Sequence, residues 1–141
     1  MILEKLMPNQ YVESVFSITV DRLHKQNIRA IITDLDNTLV EWDRVEATPE
    51  VMAWIEQMRK SGIQVTILSN NRRERVERFC QPLGVQYIWG AKKPTRNAFL
   101  RAVKEMNVSI EETVVVGDQL FTDVLGGNLL GFHTILVVPV V

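Results

Sequence analysis

The sequence predicts an α/β fold, a single Rossmann-like domain whose parallel sheet carries helices on both faces. Three observations predict it. Short apolar runs rich in branched residues recur along the chain, helix-patterned segments separate them, and the reactive polar residues fall just past the runs' carboxyl ends. Near-continuous apolar strands belong in a sheet buried on both faces, where neither side-chain direction meets water.

The five runs are residues 29–33, 64–68, 85–89, 113–116 and 134–138. Between them the helix punctuation is plain. Thr48 is placed to cap a helix that starts at Pro49, and Val51, Met52, Ile55 and Met58 are expected on its buried face. Gly62 closes that helix after Lys60. Pro94 opens a second helix, with Phe99, Ala102, Val103 and Met106 at helical spacing. A third, near residues 120–130, contains Gly126 and Gly127, which close packing on the sheet would explain. Residues 1–25 read as an N-terminal extension that packs on the domain or serves for docking. After Pro8, Tyr11, Val12, Val15 and Phe16 suggest an apolar helix face. Only Lys5 would stand on its polar side, which favours packing over a membrane-surface anchor.

Composition bounds the function. The 141 residues suit one domain, residues 1–141, and 46% hydrophobic with 23% charged residues is ordinary for a globular chain. A net charge of −1 leaves no basic footprint for nucleic acid. Cys80 is the single cysteine, so no internal disulfide forms and a reducing compartment fits. No apolar run approaches the ~18 residues of a membrane span, and Glu4 and Pro8 interrupt any signal-peptide core. The expected location is the cytoplasm, with room for peripheral contact at a membrane surface. The chain stops at Val140-Val141 without a polar tail, and a shortened C-terminus is one explanation.

The chemistry gathers at the strand exits. The first run leads into Asp34-Leu35-Asp36-Asn37-Thr38, the second into Ser69-Asn70-Asn71, and the fourth into Gly117-Asp118; Lys92-Lys93-Pro94 follows the third. Ligands of open parallel sheets bind at this edge, where the strand order reverses. Asp34 and Asp36, two apart on extended backbone, can leave the same face. Two close carboxylates repel a phosphate dianion unless a cation lies between them. Asp118 adds another hard oxygen ligand of the kind magnesium prefers. One carboxylate can then attack phosphorus while the other protonates the leaving oxygen and later activates water. Ser69 and Lys93 are placed to hold the remaining oxygens. Singly, each feature has a plain structural explanation as a turn, cap or surface residue; their joint occurrence at successive strand ends does not.

These residues resemble the motifs of the haloacid dehalogenase superfamily of aspartate-nucleophile phosphatases: Asp34-Leu35-Asp36-Asn37-Thr38-Leu39, Ser69, Lys93-Pro94, and Gly117-Asp118 through Asp123. The likeness is nearer still to the YqeG-type group of the small, capless subfamily IIIA, and more broadly to phosphatidylglycerophosphate phosphatases. It rests on TDLDNTLVEWD, SNN, AKKP, GDQLFTDVLGGN and the N-terminal MPNQYVESVFSIT. Members of the group usually continue past the last strand, whereas this chain does not. The resemblance implies a five-stranded sheet in the order 3-2-1-4-5 and no large cap. It implies Asp34 as nucleophile and Asp36 as acid/base, with Mg2+ on Asp34, Asp36 through its carbonyl, and Asp118. Phosphate would rest on Ser69, Asn70 and Lys93, and Asp123 would stand behind the metal. Family usage favours Lys93 over Lys92, because the catalytic lysine directly precedes proline.

The expected function is magnesium-dependent hydrolysis of a phosphate monoester through an aspartyl-phosphate, with phosphatidylglycerophosphate as the specific substrate the resemblance suggests. Two alternatives stay open: a soluble phosphatase acting on a nucleotide, sugar phosphate or phosphoprotein, and a non-catalytic binding or assembly module on the same fold. Oligomerisation is left open as well. A cysteine phosphatase is excluded, since a Cys-x5-Arg cradle starting at Cys80 would need arginine where Gln86 stands. His24 and His133 have no partners at zinc spacing.

Overall fold

In the computed structural model, which describes residues 2–141, all the predicted runs become strands of one parallel sheet. They are β2 (Ala30–Thr33), β3 (Gln64–Leu68), β4 (Gln86–Ile88), β5 (Thr113–Gly117) and β6 (His133–Val137). Side chains alternate between the two faces, as the pleat requires. Ile31, Ile67, Val114 and Val116 join the larger apolar cluster, whereas Ala30, Ile32, Leu68 and Val115 join the smaller one on the opposite face. Every residue of β2 and β5 is buried, which is why those segments read as unbroken apolar runs.

The sheet has six strands rather than five, in the order β1-β6-β5-β2-β3-β4; the sixth strand, added at the β6 edge, makes the whole order differ from 3-2-1-4-5, which β4-β3-β2-β5-β6 retain. The additional strand, β1 (Gln10–Val12), pairs in parallel outside β6, with Tyr11 opposite Leu136. This also corrects the helix expected at residues 11–16. That segment forms β1 and a 3-10 turn, Val15–Ser17, which buries Val15 and leaves Tyr11 and Phe16 exposed. Polar side chains hold the segment in place. The Asn9 Oδ1 accepts from the Thr134 amide at 2.8 Å, and the Asn9 amide donates to the Thr134 carbonyl at 2.9 Å. Asn128 donates to the carbonyls of Lys5 and Met7, at 2.8 Å each, fixing the end of α1 (Ile2–Lys5). The helix of this region comes later, as α2 (Val20–Lys25), capped by Thr19. Trp54 donates its indole N–H to the Ile18 carbonyl at 3.0 Å, so the N-terminal segment is tied to the domain from both sides.

The remaining helices follow their punctuation with two shifts. In α3 (Pro49–Lys60), Thr48 Oγ1 accepts from the Val51 amide at 3.2 Å. The buried face is Val51, Trp54, Ile55 and Met58, whereas Met52 is exposed; the i, i+3, i+4, i+7 stripe passes through Trp54 instead. Next come α4 (Arg73–Cys80) and α5 (Arg96–Met106). The latter begins two residues beyond Pro94, because Thr95 is its extended cap; Lys93-Pro94 is a cis peptide. Residues 120–130 are a wide π-type turn, Leu120–Leu125, running into α6 (Gly126–Leu130). A Cβ on Gly126 would lie 2.9 Å from the Phe99 ring, and one on Gly127 would lie 2.7 Å from Thr134 Cγ2. The two glycines thus serve close approach of α6 to α5 and the sheet.

Candidate active site

β2 lies between β3 and β5, so the chain reverses direction of travel across the sheet on either side of it. The crevice this leaves at the carboxyl ends is where the reactive side chains gather. The Asp34 amide still donates to the Val116 carbonyl at 2.9 Å, carrying the β2–β5 pairing one residue past the strand. Leu35 turns into the core, and its neighbours Asp34 and Asp36 turn to the crevice. Asn37 then adopts a left-handed φ of 61° and its amide bonds the Val40 carbonyl at 2.7 Å, ending the extended run.

From β3, the Ser69 amide donates to the Ile88 carbonyl, and its buried hydroxyl accepts from the Asn71 amide at 3.0 Å. Asn70 grips the backbone of Lys93 at both ends: its Oδ1 accepts from the Lys93 amide at 2.7 Å, and its Nδ2 donates to the Lys93 carbonyl at 3.2 Å. The Asn70 side chain therefore positions the lysine loop. Lys93 is buried, whereas Lys92 is exposed. The Lys93 ammonium donates to Asp34 Oδ1 at 3.1 Å and to Asp123 Oδ1 at 2.7 Å. From β5, Gly117 lets Asp123 approach; a Cβ there would sit 2.1 Å from the Asp123 carboxyl carbon. Asp118 accepts from the buried Thr38 hydroxyl at 3.0 Å.

Carboxylate oxygens of Asp34, Asp118 and Asp123 come within 4.8 Å of one another. The electrostatics show the crowding. Burial, with the Asp34 charge second, pushes the Asp118 carboxyl up to about 6. Burial also pushes Asp123 up to about 6, with Lys93 opposing and Asp34 adding to the rise. Burial acts to lower the Lys93 pKa, but the charges of Asp34 and Asp123 outweigh it and the net shift is upward. One ammonium faces three carboxylates, an excess of two negative charges when all are ionised. A divalent cation with a preference for hard oxygen ligands matches that excess. The residues present fit such an ion.

Asp36 is engaged differently from its sequence neighbours. Its Oδ2 accepts from Asn71 Nδ2 at 2.9 Å, and its Oδ1 accepts from Arg75 Nε at 3.1 Å and Nη2 at 3.0 Å. Its carboxylate is not among the three that come within 4.8 Å of one another. Asn71 is named in the sequence only as part of the Ser69-Asn70-Asn71 exit, with no role of its own, and Arg75 does not stand out there as a site residue. Arg75 sits in a run of charged residues that reads as a solvated helix face, and only its place in the first turn after the β3 exit hints otherwise.

The cleft over these groups has a volume of about 380 Å3, and Gln119 and Thr122 complete its wall. A groove of about 210 Å3 at the other end of β3, lined by Ile55, Arg59 and Val85 among others, contains no carboxylate. Cys80 is buried, and burial pushes its thiol up to about 12, which removes it as a nucleophile.

The model of the haloacid dehalogenase-like hydrolase family matches residues 19–131. The chain is 54% identical over 140 residues to the probable phosphatase YqeG of Bacillus subtilis, covering 99% of this chain and 81% of that protein. It is 22% identical over 143 residues to phosphatidylglycerophosphate phosphatase 1, chloroplastic/mitochondrial, of Arabidopsis thaliana; that match covers 95% of this chain but only 41% of the plant protein. Among solved structures, 3-deoxy-D-manno-octulosonate 8-phosphate phosphatase from Moraxella catarrhalis, in complex with magnesium, phosphate and KDO, superposes with a TM-score of 0.54. It shares 18% identity, over 71% of this chain and 64% of that one, a likeness of fold. The chain belongs to the haloacid dehalogenase-like hydrolases. It is a phosphatase-type member of that family.

Proposed function

We propose that this hydrolase is a Mg2+-dependent phosphomonoesterase that works through an aspartyl-phosphate on Asp34. The observation that carries the reading is the meeting of Asp34, Asp118 and Asp123 within 4.8 Å beside the buried Lys93. When bound, Mg2+ would be held by Asp34, the Asp36 carbonyl and Asp118, and would supply charge neutralisation and orientation of the phosphoryl group. Lys93 fixes the attacking carboxylate through Asp34 Oδ1 and presents its charge to the phosphoryl oxygens, with Ser69 and the backbone around Asn70 completing the cradle. The Asp34 carboxylate attacks phosphorus in line, and Asp36 gives its proton to the departing oxygen. In the second half-reaction Asp36 takes a proton from water, which attacks the phosphorus of the aspartyl-phosphate and releases inorganic phosphate. Asp123 holds the Lys93 ammonium from behind.

The substrate we favour within this class is a lipid phosphate, phosphatidylglycerophosphate being the specific case. The activity for which the Arabidopsis relative is named supports it. So do exposed Leu120 and Phe121, which lie between the cleft-lining Gln119 and Thr122, and exposed Trp42, whose amide donates to the cleft-lining Asn37. The test of the chemistry is metal-dependent release of phosphate from an aryl phosphate. We expect activity with Mg2+, none in EDTA, and loss of turnover in a folded Asp34→Asn variant. Full activity of metal-free protein or of Asp34→Asn would end the mechanism. Catalytic efficiency on phosphatidylglycerophosphate in mixed micelles, set against soluble esters, tests the substrate: a clear preference for a soluble ester removes the lipid reading and leaves the mechanism standing.

A further inference from the structure

The Arg75 guanidinium makes more contacts than its place on a charged helix suggests. Two of its nitrogens, Nε and Nη2, converge on Asp36 Oδ1 at 3.1 and 3.0 Å. The same Nη2 reaches the Glu41 carbonyl at 3.4 Å, and Nη1 donates to the carbonyls of Arg44 and Val45. The side chain is 13% exposed, and its guanidinium carbon lies 5.6 Å from the centre of the Phe79 ring one turn along α4. One planar group, backed by a rigid helix, therefore grips both a catalytic carboxylate and the 41–45 loop.

The other side of Asp36 is fixed as well, since Asn71 donates to Oδ2 at 2.9 Å. Held from both oxygens, the carboxylate has one orientation. Proton transfer needs that orientation to be right, because donor and acceptor must come within about 2.6–3.2 Å in the reacting complex. A misplacement of about 1 Å can cost on the order of 10²-fold in rate. Arginine is suited to such a position, because its fork of five donors can serve a carboxylate and several carbonyls at once. A lysine ammonium cannot.

We propose that Arg75 is the positioning residue for Asp36, setting the carboxylate's direction and linking it to the seating of the 41–45 loop. The inference rests on the assignment of Asp36 as acid/base. It gives the loop a role in the chemistry: the loop carries Trp42, which is 68% exposed and whose amide donates to Asn37 Oδ1 at 3.0 Å. A leaving group that lies against this loop thereby acts on the group that must protonate it.

The test compares wild type, Arg75→Met, Arg75→Lys, Asp36→Ala and the Asp36→Ala/Arg75→Met double variant on a series of phosphate esters of graded leaving-group basicity. Methionine retains an apolar stem beside Phe79, and lysine retains the charge. We expect Arg75→Met to lose on the order of 10²-fold in kcat with a poor, alkyl leaving group. Loss with an activated aryl phosphate should be far smaller, with KM and the magnesium requirement little changed. Arg75→Lys should recover only part of the loss, and the double variant should be no slower than Asp36→Ala. Hydrogen exchange of the 41–45 amides should quicken in Arg75→Met. An equal loss across all leaving groups, additive losses in the double variant, or unchanged exchange in the loop would each overturn the proposal. If Asp36→Ala itself kept the wild-type dependence on leaving group, the acid/base assignment would fall, and Arg75 would lose its role with it.

Discussion

Asp34 and Asp36 are separated by a single residue, yet they face different charges. Asp34 meets Lys93 and the other two carboxylates, whereas Asp36 meets Arg75 and Asn71. That division suits two roles. In Asp36→Ala the proposed nucleophile, Asp34, and the carboxylate cluster are retained, so an activated aryl phosphate should lose little. Esters with poor leaving groups should lose about 10²–10⁴-fold, the usual size of general acid–base catalysis. A leaving-group series with wild type and Asp36→Ala at saturating magnesium checks this, and an equal fall for all esters would remove the assignment. The placement of Asp34, Asp36, Ser69, Lys93 and Asp118 at one edge was legible in the sequence, because strand exits declare themselves through the apolar runs before them. Arg75 was not. Its target is set by the three-dimensional path of the 41–45 loop, and helical spacing alone assigns the side chain to solvent.

Among the strands and helices, legibility followed burial. β2, β3 and β5 are apolar on both faces and were readable as strands, with ends within a residue of those expected. β1 was not readable. Its three residues, Gln10–Val12, are partly exposed, and it becomes a strand only because β6 offers an edge and Asn9 and Asn128 hold the chain against it. Such tertiary selection overrides local preference. The 120–130 segment is the intermediate case, since its glycines announce close packing without revealing the π-type turn before them. Gly127 permits a sharp prediction. A Cβ there meets Thr134 Cγ2 at 2.7 Å and Val115 Cγ2 at 3.3 Å, both held within the sheet. Gly127→Ala should therefore destabilise the domain by about 1–3 kcal/mol, the ordinary cost of overpacking, although alanine is the better helix former. Denaturant unfolding measures this directly, and a neutral or stabilising result would mean that α6 is free to lift from the sheet.

For the domain taken as a unit, the crowded carboxylates make folding and metal binding one problem. Asp118 and Asp123 rise from an ordinary 3.8 to about 6 in the fold, burial being the first cause for both. A raised carboxyl pKa means that the folded state binds the proton more tightly than the unfolded chain. This contribution to stability is complete below about pH 4 and is lost as the pH rises through about 6. His133 acts in the other direction: burial lowers its pKa, so its contribution is lost as the pH falls. The comparison of wild type with Asp118→Asn cancels the His133 effect, because both proteins carry that histidine, and isolates Asp118, for whose neutral carboxyl asparagine stands in. In EDTA, wild type should lose thermal stability relative to Asp118→Asn between about pH 5 and about pH 7.5. Magnesium should reverse that at the higher pH, by about 2.7 kcal/mol at a hundredfold excess over Kd, and do less at the lower, where protons compete for the same oxygens. Asp118→Asn should show little response to the metal at either pH. Thermal unfolding of the two proteins at both pH values, with and without magnesium, decides the matter. A magnesium response in Asp118→Asn as large as that of wild type would show that the ion binds elsewhere, and the pairing of charge excess with cation would have to be abandoned.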